Sequence, residues 1–155
     1  MGRKILVPID LSAYSVRVLE RARLILREED EIVLLHVVLD PSAFAGFHIP
    51  HLSTELARET LLQEATKSME RFVARNAPGT VFRISFGIPF KEILAAALEE
   101  EADVIVIGSH QSSGRMERLL VSHASEKVIR NAPCDVLVVP LPIQSEEELF
   151  RRTMT

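Results

Sequence analysis

The sequence predicts an α/β protein built on a five-stranded parallel sheet, with strand order 3-2-1-4-5 and helices on both faces. Three observations predict this fold. Five short apolar runs, rich in valine and isoleucine, are typical of strands buried on both faces. Segments in which apolar residues recur at helical spacing separate successive runs. Such alternation requires crossover connections, which are right-handed and place helices on both sides of the sheet.

The first predicted strand and helix lie close to the N-terminus. Residues 5–9 form a nearly continuous apolar run and are the first strand. Ser12 is the expected N-cap of the helix that follows, because its hydroxyl can accept a backbone N–H of the first turn. Beyond it the apolar residues recur at helical spacing. The residues expected to face the core are Val18, Leu19, Ala22, Ile25 and Leu26.

The second predicted strand is residues 32–38, and a loop is expected over residues 40–50, where two prolines and a glycine interrupt any regular pattern. A long helix is predicted from Ser53. Its apolar side is formed by Leu56, Leu61, Ala65, Met69, Phe72 and Val73.

The third predicted strand is residues 81–86, and Pro89 suits the first turn of the next helix, because its missing N–H would be unpaired there in any case. The residues that this helix is expected to bury are Ile93, Leu94, Ala97 and Leu98.

The last two predicted strands are residues 104–107 and 136–139. Between them lie a polar loop over residues 108–114 and a helical segment that stops at Pro133. The apolar residues of that segment are Leu119, Leu120, Val128 and Ile129.

One domain is expected over residues 1–141, followed by a tail over residues 142–155. The chain of 155 residues, 47% of them hydrophobic, is long enough to bury a sizeable core. In the tail, Ser145 and Glu148 match a capping box and predict one helical turn. We expect the tail to be frayed, with an ordered arm as the alternative.

Composition narrows the class of protein. The net charge of -4, without a long run of Lys or Arg, argues against a nucleic-acid partner. The single cysteine, Cys134, rules out an internal disulfide, fits a reducing compartment and is expected to be a small core residue. No stretch approaches the roughly 18 apolar residues of a membrane span, and the N-terminus lacks a signal-peptide pattern. We therefore expect a cytoplasmic protein without a membrane partner.

A ligand site is expected where the strand order reverses, beyond the carboxyl ends of strands one and four. Asp10 and Gly108 follow those strand ends. Asp10 either caps the first helix or contacts the base or ribose of a ligand. Gly108 begins a turn that enters a helix, where backbone N–H groups can meet phosphate.

Several segments then occur in a specific order and spacing. They are residues 4–10 (KILVPID), 35–37 (LHV), 87–89 (GIP), 102–110 (ADVIVIGSH), 125–129 (SEKVI) and 132–139 (APCDVLVV). Each is a weak signal alone, but together they strongly resemble the universal stress protein family. The resemblance implies a Rossmann-like fold of the adenine nucleotide alpha hydrolase type.

ATP-binding members of that family carry a nucleotide motif, which is glycine, two residues, glycine, nine residues, then glycine followed by Ser or Thr. This chain keeps the spacing but only the first of the three glycines. Gly108 matches that first glycine, Gln111 and Val121 stand at the other two positions, and Ser122 keeps the hydroxyl. A side chain at a positive φ costs roughly 1–2 kcal/mol, and a lost charge-assisted bond costs about 1.5–3 kcal/mol. We therefore expect ATP to bind weakly or not at all.

The resemblance also implies which residues would hold an adenine nucleotide if one binds. Pro8, Asp10 and Val37 would surround the base and ribose. The residues along the phosphates would be Gly108, Gln111, Val121 and Ser122.

A homodimer is the expected assembly. Strand five is apolar and lies at a sheet edge in the predicted order, and an apolar edge invites pairing with another chain. The resemblance implies antiparallel pairing of this strand through Val136, Leu137, Val138 and Val139. The expected function is a stress-response regulatory module that acts through dimerisation and unknown protein partners, and not as an enzyme. The alternative is an ATP- or AMP-binding stress protein with slow hydrolysis.

Other chemistries find little support in the sequence. Ser109 and His110 are adjacent on a strand end, so their side chains point apart, and no nucleophile elbow surrounds them. His48 and His51 have no cysteine or carboxylate cluster beside them, so no metal site is expected. The chain lacks the phosphate-accepting Asp of a receiver domain after strand three and the Ser/Thr-rich loop of a flavodoxin after strand one.

Overall fold

The computed structural model describes residues 1–40, 55–109, 124–140, 142 and 145–154. It contains a five-stranded sheet of order β3-β2-β1-β4-β5 in which all neighbouring strands are parallel. The strands are β1 (Lys4–Pro8), β2 (Glu31–Leu39), β3 (Val81–Gly87), β4 (Val104–Gly108) and β5 (Asp135–Val139). The predicted fold class and strand order are confirmed, and each predicted strand lies within about a residue of the observed one.

Helices cover both faces of this sheet. The described helices are α1 (Tyr14–Leu24), α2 (Glu55–Asn76), α3 (Pro89–Glu99), α4 (Ala124–Asn131) and α5 (Glu146–Thr153). Helices α1 and α2 pack on one face, where Val7, Leu34 and Met69 are fully buried. Helices α3 and α4 pack on the other, where Leu35 and Val128 are fully buried. Pro89 is in the first turn of α3, as predicted.

Three residues predicted from helical periodicity to be apolar face residues are exposed. Leu56 of α2 is 71% exposed, Leu98 of α3 is 65% exposed and Ile129 of α4 is 49% exposed. All three lie within a few residues of a helix end. Periodicity identifies the apolar side of a helix, but it does not indicate where the sheet beneath that helix stops.

Of the two helix N-caps that the sequence predicts, one is wrong and the other is confirmed. Ser12 is not the N-cap of α1, because Ala13 holds that position and no side chain caps the helix. Ser145 caps α5 as predicted, and its hydroxyl accepts the backbone N–H of Glu148 at 3.2 Å. Helix α5 then continues for eight residues, more than the single turn expected.

The predicted loops over residues 40–50 and 108–114 lie almost entirely outside the described residues, as do Leu119 and Leu120. In the part of the chain that is described, no helix is long and apolar enough to cross a membrane.

A partly buried ion pair between Arg3 and Asp30 lies at the amino edge of the sheet. The side chain of Asp30 is 2% exposed and is bonded to Arg3 through both the guanidinium and the backbone N–H. Hydrogen bonding by the Arg3 guanidinium holds the pKa of Asp30 well below its ordinary value. The pair therefore contributes stability above the unfolded pKa of about 3.9, and this is lost as the pH falls through the lower folded pKa.

Candidate functional site

The candidate site lies at the carboxyl edge of the sheet, where β1 is flanked by β2 and β4. Pro8 is buried at the end of β1 and pairs with Leu35, so Val37 lies two residues further along β2 towards this edge. Asp10 follows β1 by two residues, and Gly108 ends β4. The structure thus brings the four described candidates, Pro8, Asp10, Val37 and Gly108, to one edge at the point where strand order reverses.

Asp10 organises the turn between β1 and α1. Its Oδ1 accepts the backbone N–H of Ser12 at 3.0 Å and the Ser12 hydroxyl at 2.6 Å. The Ser15 hydroxyl donates to the same oxygen at 2.9 Å, and Ser15 is 1% exposed. Ser12 therefore turns back towards this carboxylate, which explains why it does not cap α1. Asp10 does not cap α1, because no side chain caps that helix. Its carboxylate instead holds the turn between β1 and α1, beside the crevice.

The same turn contains a backbone conformation that the sequence does not signal. Leu11 has φ of 63°, in the left-handed region, where a side chain costs roughly 1–2 kcal/mol. Packing of the half-buried Leu11 against the core on the α1 side offsets part of that cost. The ring of His36 supports the turn from β2, since its Nδ1 lies 2.9 Å from the carbonyl oxygen of Ile9. That carbonyl can only accept, so Nδ1 carries the proton. His36 is therefore a hydrogen-bonding residue of β2 that holds this turn.

Gly108 has a packing role that the sequence did not reveal. A Cβ at this position would lie 2.8 Å from Cε1 of Tyr14 and 3.4 Å from a methyl group of Val18. The described glycines with positive φ are Gly79 and Gly87, so Gly108 is not required for its φ. The Tyr14 hydroxyl donates to the carbonyl oxygen of Val139, which also accepts the backbone N–H of Ser109 at 2.9 Å. Glycine is therefore needed here so that the Tyr14 ring can lie against β4.

We expect Gly108→Ala to destabilise the fold by about 1–3 kcal/mol, because the added methyl group collides with the Tyr14 ring. In a Tyr14→Ala background the same substitution should cost far less, since the ring is gone. Urea unfolding of the four proteins of this double-mutant cycle measures the coupling. An equal cost in both backgrounds would show that Tyr14 is not the reason for the glycine.

The other candidate residues lie outside the described part of the chain. These are Gln111, Val121 and Ser122 of the degenerate motif, together with His48, His51 and His110. Within the described residues, no group of three or more His, Cys, Asp or Glu side chains could hold a metal ion. Cys134 is half-buried and packs against the core on the α3 side. Burial raises the pKa of its thiol, and the nearby carboxylates of Asp135 and Asp103 act in the same direction. Its thiolate, the reactive form, is therefore disfavoured.

β5 is the edge strand next to this site. Its Val139 directs its carbonyl towards β4, and successive residues of a strand direct their backbone groups to opposite sides. The backbone N–H and C=O groups of Val136 and Val138 therefore face the open edge. The side chains of these two valines pack into the core on the α3 side, whereas Leu137 is 37% exposed on the other face.

Comparisons with known sequences identify similar proteins over most of the chain. A family model described as the universal stress protein family matches residues 1–140. The chain is 34% identical over 143 residues to universal stress protein MJ0531 of Methanocaldococcus jannaschii, which covers 90% of this chain and 83% of that protein. It is 32% identical over 148 residues to universal stress protein YxiE of Bacillus subtilis, with 90% and 99% of the two chains covered.

Solved structures show the same architecture. The structure of MJ0577 from Methanocaldococcus jannaschii superposes with a TM-score of 0.72 at 28% identity and covers 93% of this chain and 99% of the other. Universal stress protein UspA from Lactobacillus plantarum gives a TM-score of 0.64 at 29% identity, with 88% and 97% covered. The similarity thus extends over most of the length of this chain and of both solved structures.

Proposed function

This chain belongs to the universal stress protein family, and from that premise we propose that it is a homodimeric regulatory module of the stress response that binds ATP weakly or not at all. In this proposal the protein acts through its surfaces and its protein partners, and it is not an enzyme. The observation that carries the proposal is the contact between Gly108 and Tyr14, because it accounts for the one glycine of the nucleotide motif that the chain keeps.

That contact matters because Gly108 would otherwise be the strongest sign of a phosphate site. The ring of Tyr14 explains why this residue is glycine without any ligand, since a Cβ at this position would lie only 2.8 Å from the ring. At the other two glycine positions the chain has Gln111 and Val121. Two such replacements together cost about 3–6 kcal/mol of binding free energy, which changes a micromolar site into a millimolar one or weaker.

The proposed homodimer is supported by the position of β5. This strand lies at the sheet edge and directs the backbone groups of Val136 and Val138 outwards. A second copy of β5, paired antiparallel, would satisfy those groups and cover part of Leu137. Pro140 follows the strand directly and lacks a backbone N–H, so the ladder between two copies would end there.

The test is whether Mg-ATP stabilises the folded protein. A ligand at 100 times its dissociation constant adds about 2.7 kcal/mol to the free energy of unfolding, which is about 5–10 °C in Tm for a chain of this size. We expect a Tm change within error when millimolar Mg-ATP is added to the wild-type protein. A clear rise in Tm, absent with the same concentration of Mg-pyrophosphate, would contradict the proposal and favour nucleotide binding.

A second candidate function has one observation in its favour. Pro8, Asp10 and Val37, to which the family resemblance gives the base and ribose, all lie at the same edge of the sheet. An ATP- or AMP-binding stress protein with slow hydrolysis would use them. Release of inorganic phosphate from ATP, compared with that of an Asp10→Ala variant, separates this candidate from the first.

We also propose a cytoplasmic location. A single half-buried thiol in Cys134 suits a reducing compartment. The net charge of -4 supports the further proposal that nucleic acid is not a partner.

A further inference from the structure

An open groove lies between α2 and the turn that follows β1. It has a volume of about 320 Å³ and is lined by Leu11, Ser68, Arg71, Phe72, Arg75 and Asn76. Leu11 and Phe72 form its apolar floor. Both residues also pack against the core on the α1 side. The groove lies on the opposite face of the sheet from α3 and α4.

One rim of the groove is basic in a protein whose net charge is -4. Arg71 and Arg75 are four residues apart on α2, so they lie one above the other on the same side of the helix. Both are exposed, and Arg71 donates to the hydroxyl of Ser68 at 3.1 Å. In the described part of the chain neither arginine forms an ion pair, whereas Arg3 and Arg83 do. The groove therefore suits an occupant that is both apolar and acidic.

Helix α5 has the complementary pattern and lacks apolar cover. Its Leu149 is 44% exposed and its Phe150 is 64% exposed, and Met154 just beyond it is 86% exposed. Its first turn contains Glu146, Glu147 and Glu148. Glu146 precedes Phe150 by four residues and therefore lies on the same side of α5 as Phe150. An eight-residue helix is shorter than the about 12–15 residues at which an isolated helix becomes even marginally stable. Helix α5 is therefore expected to need a packing partner in order to stay folded.

We propose that the groove beside α2 binds helix α5 of a second copy of this chain. Phe150 and Leu149 would cover Leu11 and Phe72, and the acidic first turn would lie against Arg71 and Arg75. A second copy is the occupant because, among the residues that the structure describes, no other segment of the chain covers either the groove or the apolar side of α5.

The contact is small. One short helix cannot bury the about 800 Å² per partner that a specific interface usually requires. Two such contacts, each chain giving its α5 and receiving the other, form a closed two-fold arrangement. These two α5 contacts do not depend on pairing through β5, and they would be additional to that pairing.

Hydrogen exchange of the α5 amides tests the proposal on the full chain. In the wild-type protein, amides of residues 146–153 are expected to gain protection as protein concentration rises from micromolar to hundreds of micromolar, a range chosen to span weak association. The charge-reversed variant Arg71→Glu/Arg75→Glu should lose about tenfold of that protection, because two attractions become repulsions. Adding Glu146→Lys/Glu147→Lys to it should restore protection.

A matched control carries the same change of charge elsewhere. Lys91→Glu/Arg130→Glu alters exposed residues of α3 and α4, on the other face of the sheet, and should leave α5 as protected as in the wild type. Amides of β1 and β4 in the same spectra report whether each variant is folded. Phe150→Ser, which changes a residue 64% exposed, gives a second test that leaves the core untouched.

Three outcomes would overturn the proposal. They are α5 amides that are unprotected at every concentration, protection that stays unchanged at a dilution where light scattering shows monomers and so arises within one chain, and protection that survives both Arg71→Glu/Arg75→Glu and Phe150→Ser. Protection that rises with concentration and falls in both variants supports it.

Discussion

Replacing Gln111 and Val121 together by glycine is expected to raise the affinity of this protein for ATP by about two to four orders of magnitude. Glycine removes the cost of a side chain where the family motif needs open backbone, and it allows backbone N–H groups to approach the phosphates. We expect the larger gain at Val121, because a β-branched residue is poorly tolerated at the positive φ that the family motif implies for this position. Titration calorimetry of the variant with Mg-ATP measures the effect.

The matched control is Gln111→Ala/Val121→Ala. This variant also shortens both side chains but keeps a Cβ at each position, so it should gain little. If the alanine and glycine variants bind ATP equally, side-chain bulk and not backbone conformation limits the site. If neither binds better than the wild type, the loss of the two glycines is not what weakens binding.

The second large effect is expected at the edge strand. Val138→Pro removes a backbone N–H that faces the open edge and leaves the hydrogen bonds to β4 in place. In a two-fold dimer each copy loses one such bond and leaves a carbonyl unpaired, which together cost about 3–6 kcal/mol. The dimer dissociation constant should therefore rise by at least about a hundredfold. Light scattering across a concentration series measures the mass of the particle.

Ile84→Pro is the control for this substitution. Ile84 is a half-buried, β-branched residue of β3, at the opposite edge of the sheet. The Gly87 carbonyl of the same strand faces the β2 side, so the backbone N–H of Ile84 faces the open edge, as that of Val138 does. This variant should keep the mass of the wild type. A wild-type protein that is monomeric at micromolar concentration would show that β5 is not a dimer strand, as would a folded Val138→Pro variant that remains dimeric.

The sequence was sufficient for the sheet because the signal for each strand is local. Residues 5–9 and 104–107 are continuous apolar runs, and only strands buried on both faces need such runs. The side chains at helix ends were predicted less well. Leu98 continues the apolar pattern of α3 yet is 65% exposed, because burial depends on the extent of the sheet and not on the helix itself.

The candidate site was harder to predict because its contacts join distant parts of the chain. Tyr14 and Gly108 are far apart in sequence, and only the fold places the tyrosine ring against β4. Leu11 gave no local sign of its left-handed backbone, since leucine is not a residue that favours it. Asp10 was placed correctly at the strand end, but its bonds to Ser12 and Ser15 required the coordinates of the turn.

The most direct test of the account is a calorimetric titration of the wild-type protein, purified without added nucleotide, with Mg-ATP. The account predicts no saturable heat below about 1 mM ATP, since two of the three glycine positions of the phosphate-binding motif carry other residues. Saturation with one ATP per chain at micromolar concentration would contradict it.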